Sequence, residues 1–212
     1  MKSRLFQLYA RYLQDENHTT FFNSVSQSYL AGTLERLTSS ACVLTRRGAV
    51  LSLGLMGTLE SSPVLANLLG DPDNTLSSMA EQAIERTWFR TGSVEHQKEL
   101  LVLKRQNYLR RFDEVLHRAT RLIELNPDIA ETWNQRAIAH YSLCHFNDST
   151  RDYRETLKRN PLHFPATIGL GNSYLESRNF VEAIASFKRC LQIHPGLKTI
   201  QAQVNFLVKS LN

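Results

Sequence analysis

The sequence predicts an all-α fold, an α-solenoid of helix-turn-helix repeats, and three observations carry that expectation. Asn126-Pro127, Asn160-Pro161 and His194-Pro195 each close an amphipathic stretch, and the prolines stand 34 residues apart. Phe112, Phe146 and Phe180 keep the same phase, as do Leu122, Thr156 and Cys190, and again Leu125, Arg159 and Ile193. Strand signals are missing: apolar and polar residues do not alternate over a useful length, and no Asn-Gly or Asp-Gly hairpin turn occurs. A self-similar period of a few tens of residues marks stacked units, each burying its apolar face on its neighbours.

Residues 1–20 read as an amphipathic helix or lead-in. Residues 21–92 show a weaker period of 31, which pairs Leu34 with Leu65, Leu37 with Leu68, Ala49 with Ala80 and Leu53 with Ile84. Asp71-Pro72-Asp73 is a turn that can also start a helix, its acidic charge complementing the positive helix end. Trp88 and Phe89 close the last helix of this block, and Thr91-Gly92-Ser93 marks a boundary.

Residues 93–212 hold the 34-residue units. Proline lacks an N–H and disfavours helical backbone before it, so Pro127, Pro161 and Pro195 stop one helix and can open the next. Each Phe opens a second helix after a short turn at Arg110-Arg111, His145 or Arg178-Asn179. Ala183, Ile184, Phe187, Cys190 and Leu191 then recur at three- and four-residue spacing on one apolar face. Ile200, Val204, Leu207 and Leu211 give the final helix the single face expected of a cap.

These units resemble the tetratricopeptide repeat (TPR) family. Trp133, Ala137, Tyr153 and Pro161 stand where that family places its signature aromatic, small, aromatic and proline residues. Leu170, Gly171, Tyr174, Ala183, Phe187 and Pro195 do so in the next unit. The first unit departs in its opening helix, where Glu99 and Gln106 replace the usual aromatics. Arg46-Arg47-x-Ala49-x-x-Ser52-Leu53-Gly54, followed by an apolar helix and the Leu-Leu-Gly-Asp-Pro-Asp turn, is similar to HEAT-like repeats of the phycobilisome-lyase type. Ser78 stands where the first copy has Arg47, and the first turn lacks Asp-Pro. The two resemblances imply a HEAT-like block over 21–92 followed by a TPR superhelix over 93–212.

Composition bounds the function. With 42% apolar and 21% charged residues the chain is not disordered, and nine Gly with six Pro exclude a collagen-like one. Three scattered cysteines exclude a disulfide framework or zinc ribbon; they read as free, mostly buried thiols of a cytoplasmic protein. Arg4, Gln7 and Arg11 interrupt any apolar leader core, and the run from Ala49 to Leu59 is about half of the ~20 residues that span a bilayer. The net charge of +5 divides into −1 over residues 1–95 and +6 over 96–212. No long run of like charge accompanies it, so the basic half reads as a solvated face.

Chemistry is not evident. Gly48, Gly54 and Gly57 match no phosphate-loop spacing, and Gly169 and Gly171 lie inside a first helix, where close packing accounts for them. His140 and His145 are five apart where one helix face requires three or four, Cys144-His145 falls at the turn between helices, and HExxH and CxxC are absent, so no metal is expected. Cys144 and Cys190 each have a histidine nearby in sequence, which is not the spatial arrangement a catalytic dyad needs. No Gly-x-Ser-x-Gly elbow occurs, and Asp113-Glu114 belongs to a helix start. Neither catalysis nor a cofactor is expected.

In the TPR family the first helices of successive units line a concave groove. The resemblance places Leu101, Lys104 and Tyr108 there from unit one. Unit two contributes Asn134, Ile138 and Tyr141, and unit three Ile168, Asn172 and Leu175. Asn134 and Asn172 can donate to and accept from an extended backbone, while Ile138 and Tyr141 offer apolar contact. Repeats that clamp acidic chaperone tails use Lys and Asn, then Asn, then Lys and Arg; Leu100, Lys104, Ile138, Pro165 and Gly169 stand here, so that clamp is not expected. The expected function is a non-catalytic adaptor binding a protein or peptide. A basic helical repeat on nucleic acid and an accessory factor related to bilin-lyase-like proteins are the alternatives, and no membrane partner is expected.

Overall fold

The structure, a computed structural model, describes residues 3–211. Among these residues the regular elements are thirteen α-helices and one 3-10 turn, with no strand. The chain divides after Arg90 into two compact units.

The first unit runs through α1 (Arg4–Asp15), α2 (His18–Ser26), α3 (Ala31–Leu37), α4 (Val43–Met56), α5 (Ser62–Ala66) and α6 (Asn74–Trp88). Helix α4 lies at its centre, against α1, α2, α3 and α6. Missing side chains permit that: a Cβ on Gly48 would stand 3.0 Å from Tyr9 Cβ, and one on Gly54 would stand 3.1 Å from Ala83 Cβ. Positions 31 residues apart share their burial, for Leu34 and Leu65, Ala49 and Ala80, and Leu53 and Ile84 are all fully buried. The Asp-Pro-Asp turn has two functions. Asp73 caps α6 by accepting from Thr75 N–H, and its carboxylate receives Arg47 Nε and Nη2 at 2.9 and 2.8 Å. Those bonds hold the Asp73 carboxyl below its ordinary pKa. Arg90 donates to the carbonyls of Gly54 and Gly57 at 2.9 Å, placing a cation at the negative end of α4.

The second unit contains α7 (Val94–Tyr108), α8 (Phe112–Leu125), α9 (Ala130–Ser142), α10 (Phe146–Arg159), α11 (Phe164–Glu176), α12 (Phe180–Ile193) and α13 (Lys198–Leu211). Helices α7, α9 and α11 are neighbours in one layer, and α8, α10 and α12 pair with them. The 34-residue period extends to the backbone dihedrals. Arg110, Cys144 and Arg178 adopt left-handed φ values of 59, 63 and 57°. The following N–H reaches back to the helix at each turn, from Arg111 to Gln106 O, from His145 to His140 O and from Asn179 to Tyr174 O, at 2.8–2.9 Å. This is the Schellman ending, which normally places glycine at the left-handed position. No glycine marks it in this sequence.

Pro127, Pro161 and Pro195 lie within four-residue connections, not in the first turn of the following helix, which in α11 holds Pro165 instead. Ile129 and His163 take the position before α9 and α11, and His163 Nδ1 accepts from Ala166 N–H at 3.1 Å. Size compensation across the pairs fills the core. Small Ala137 and Gly171 on the first helices stand in phase with large Tyr153 and Phe187 on the second, whereas unit one reverses the order with Leu103 and Ala119. All six are buried. One cluster joins Ala137, Tyr153, Tyr174 and Phe187 to Ile200, Val204 and Leu207, so α13 seals the end of the array.

The cysteines depart from expectation. Only Cys190 is buried, its thiol pushed up to about 12 by desolvation, while Cys42 and Cys144 are exposed. Cys144 is exposed because it occupies the left-handed turn between α9 and α10. No helix among the described residues is long and apolar enough to cross a membrane.

Candidate functional site

A buried polar chain ties the first helices together. Glu131, in the opening turn of α9, is 2% exposed, and its carboxylate accepts from Asn134 Nδ2 at 3.0 Å and Gln135 Nε2 at 2.6 Å. Its other oxygen meets His163 Nε2 at 2.9 Å. His163 Nδ1 already accepts from Ala166, so the ring proton sits on Nε2 and points at Glu131. On the other side, Asn107 Nδ2 donates to Gln135 O and Oε1 at 2.9 and 2.8 Å. His96 Nε2 pairs with Thr132 Oγ1 at 2.9 Å. A buried carboxylate is tolerated only when its lone pairs are satisfied, and this one is held by three side chains.

Trp133 forms a second anchor. Its indole N–H donates to Pro127 O at 2.7 Å, and the guanidinium carbons of Arg136 and Arg159 stand 5.0 and 4.7 Å from its ring. Arg136 also holds Asp152 through Nε and Nη2 at 2.7 and 2.9 Å.

The nine groove residues divide by environment. On α7, Leu101, Lys104 and Tyr108 are exposed, Tyr108 by 86%. On α9, Asn134 is only 5% exposed and its amide is engaged by Glu131. Ile138 and Tyr141 are half-buried, the Tyr141 ring edge-on to Phe146 at 5.6 Å. Burial raises the Tyr141 phenol pKa. On α11, Ile168 and Leu175 lie against the core and Asn172 is half-buried.

Ile138 and Tyr141 open into a cleft of about 510 Å³ that Asn107, Arg110, Phe112 and Glu176 also line. A cation and a carboxylate thus flank aromatic and aliphatic surface. Asn107 is the residue that sequence reasoning passes over, although strict phase finds it: 107, 141 and 175 are 34 apart. Leu100, in phase with Asn134, is fully buried. A larger cleft of about 710 Å³ lies between α7 and α8, with a charged lining in which Arg118 bonds Glu99 at 3.3 Å.

The spacing that argues against a metal concerns a single helix, and His140 and His145 lie on either side of a turn. There the fold brings a ring nitrogen of each, and a carboxylate oxygen of Asp148, within 4.8 Å of one another.

No family model matches the chain. A TPR repeat-containing protein of Rhizobium etli is 30% identical over 141 residues, 66% of this chain and 68% of that protein. The chain belongs to the TPR repeat-containing proteins. Solved structures match the chain at lower similarity. The first TPR of Spaghetti bound to an HSP90 peptide is 19% identical at a TM-score of 0.49, over 54% of this chain and 94% of that one. The Arabidopsis OM64 TPR domain is 23% identical at 0.48, over 53% and 96%. MamA AMB-1 is 13% identical at 0.42, over 92% and 99%. In the second unit the first helices carry both the buried Glu131–His163 chain and the half-exposed surface around Tyr141.

Proposed function

We propose that the C-terminal TPR unit is a non-catalytic interaction module that takes a protein or peptide segment on the face of α7, α9 and α11. The observation that carries this is the cleft at Ile138 and Tyr141, where aromatic surface lies between Arg110 and Glu176. Partly buried aromatic side chains with a polar margin are the usual anchors of protein interfaces. Membership of the TPR repeat-containing proteins supports the same reading. The buried chain beneath serves to hold the three first helices in register, so the face is preorganised. In the same reading the block over residues 21–92 is a HEAT-like helical repeat array, with residues 1–20 as an N-terminal helix or lead-in and 93–212 as the interaction module.

Binding is tested by selecting peptides from a displayed random library on the full chain and measuring their affinity. Ile138→Ala, Tyr141→Ala and Asn172→Ala together are expected to weaken a selected peptide by tenfold or more, since anchor residues each cost about 1–2 kcal/mol on truncation. Lys158→Ala on α10 should leave it unchanged. Asn134 is left intact because its amide belongs to the buried chain. Unaltered affinity in the triple variant would sink the assignment of the face.

A further inference from the structure

We propose that His140, His145 and Asp148 form a binding site for a divalent transition-metal ion of the zinc(II) class at the turn joining α9 to α10. The backbone fixes the arrangement. His140 lies in the last turn of α9, its carbonyl accepts His145 N–H at 2.9 Å, and Cys144 between them holds the left-handed turn. His145 precedes α10 without using its side chain as a cap, so its ring is not engaged by the helix end. Asp148 follows three residues later in the first turn of α10.

Two observations point to a ligand. A ring nitrogen of each histidine and a carboxylate oxygen of Asp148 lie within 4.8 Å of one another. Tetrahedral ligands at about 2.0–2.1 Å from zinc stand about 3.3 Å apart, so the three donors have at most about 1.5 Å to close. Independently, His140 Nδ1 is buried with no hydrogen-bond partner. Buried polar atoms are nearly always paired, and coordination would supply what this nitrogen lacks. The reverse of the ring fits as well. His140 Nε2 faces Asp152 Oδ2 at 3.9 Å, and Arg136 pins that carboxylate. A metal-bound imidazole commonly directs its other nitrogen at a carboxylate in this way.

Two imidazoles and one carboxylate suit zinc, copper or nickel and not magnesium or calcium, which require a shell of oxygens. Asp148 Oδ1 accepts from Arg151 at 2.8 Å, leaving its second oxygen for the ion. Three protein ligands leave a fourth position for water or a partner's side chain.

Zinc(II) alone, titrated calorimetrically into the full chain, is the test, with cobalt(II) as a spectroscopic substitute. One equivalent is expected to bind and cobalt to show tetrahedral ligand-field bands. His145→Ala and Asp148→Asn, both at exposed or half-exposed positions, should each weaken zinc roughly tenfold or more. His117→Ala and Cys144→Ser should leave affinity unchanged, and circular dichroism of each variant should match the parent. Absence of binding to the parent overturns the proposal, as does affinity that survives both substitutions or that depends on Cys144 instead.

Discussion

Gly171→Ala should destabilise the second unit, against the ordinary preference of helices for alanine. A Cβ at this position would stand 2.5 Å from Phe187 Cε1 and 2.8 Å from Cδ1 and Cζ. Comfortable carbon contacts run about 3.5–4.0 Å, so the ring must retreat by about 1 Å. Phe187 is fully buried in the cluster that reaches α13, which leaves the ring no slack. Overpacking of this kind costs about 1–3 kcal/mol, and alanine recovers about 1 kcal/mol of helix propensity. With three ring atoms inside 3.0 Å the cost falls in the upper part of that range, about 2–3 kcal/mol, so the net loss is about 1–2 kcal/mol. Gly32→Ala in α3 is the control, because nothing lies within 4 Å of its added carbon. It should gain about 0.5–1 kcal/mol. Urea unfolding by circular dichroism gives the two midpoints, and hydrogen exchange localises the loss to α11 and α12. In a Phe187→Leu background the alanine should cost less, since the clash is removed. A Gly171→Ala chain as stable as the parent, with Gly32→Ala behaving as stated, would refute the close-approach argument.

Further outcomes follow from the same geometry. Arg178→Gly should raise stability by about 0.5–1 kcal/mol in urea, because a left-handed non-glycine residue costs about 1–2 kcal/mol and glycine returns part of that as chain entropy. Glu131→Ala should cost about 2–4 kcal/mol, since it removes the carboxylate to which the buried Asn134 and Gln135 amides and His163 Nε2 donate; an effect below about 1 kcal/mol would show that the chain carries no weight. His96 and His140 have pKa values lowered chiefly by desolvation, with Glu99 at the first and Asp152 and Asp148 at the second partly offsetting it. The unfolded chain therefore binds these protons first on acidification: their stability contribution is complete above about pH 6.5 and declines as pH falls below it. His96→Gln should flatten that slope in urea midpoints measured at several pH values, and an unchanged slope would exclude His96 as a source.

The repeat was legible in sequence wherever it is written in side-chain type. Prolines, the Phe openings and the Ala137/Gly171 small positions define unit length and layer, and the structure places helices at those spans. Left-handed turns at Arg110, Cys144 and Arg178 were not legible, because the fold overrides the glycine preference through the two backbone bonds that close each turn. The first helix of unit one was also hard to read. Leu103 and Ala119 reverse the large and small partners, so the signature residues are missing although the same volume is filled. Within the candidate face, Ile138 and Tyr141 follow from repeat phase. Asn134 does not behave as phase alone suggests, because Glu131 one turn earlier captures its amide. The His140–His145–Asp148 juxtaposition was missed because a spacing rule for one helix cannot describe ligands divided between two.

The proposed binding face is tested most directly by where a bound segment lies. A photo-crosslinking phenylalanine analogue at Tyr141, on α9, or at Lys158, on the outer helix α10, would be introduced into the full chain and irradiated with a selected peptide. The account predicts a peptide adduct from position 141 and none from 158. Adducts from 158 alone, or equal yields from both, would contradict it.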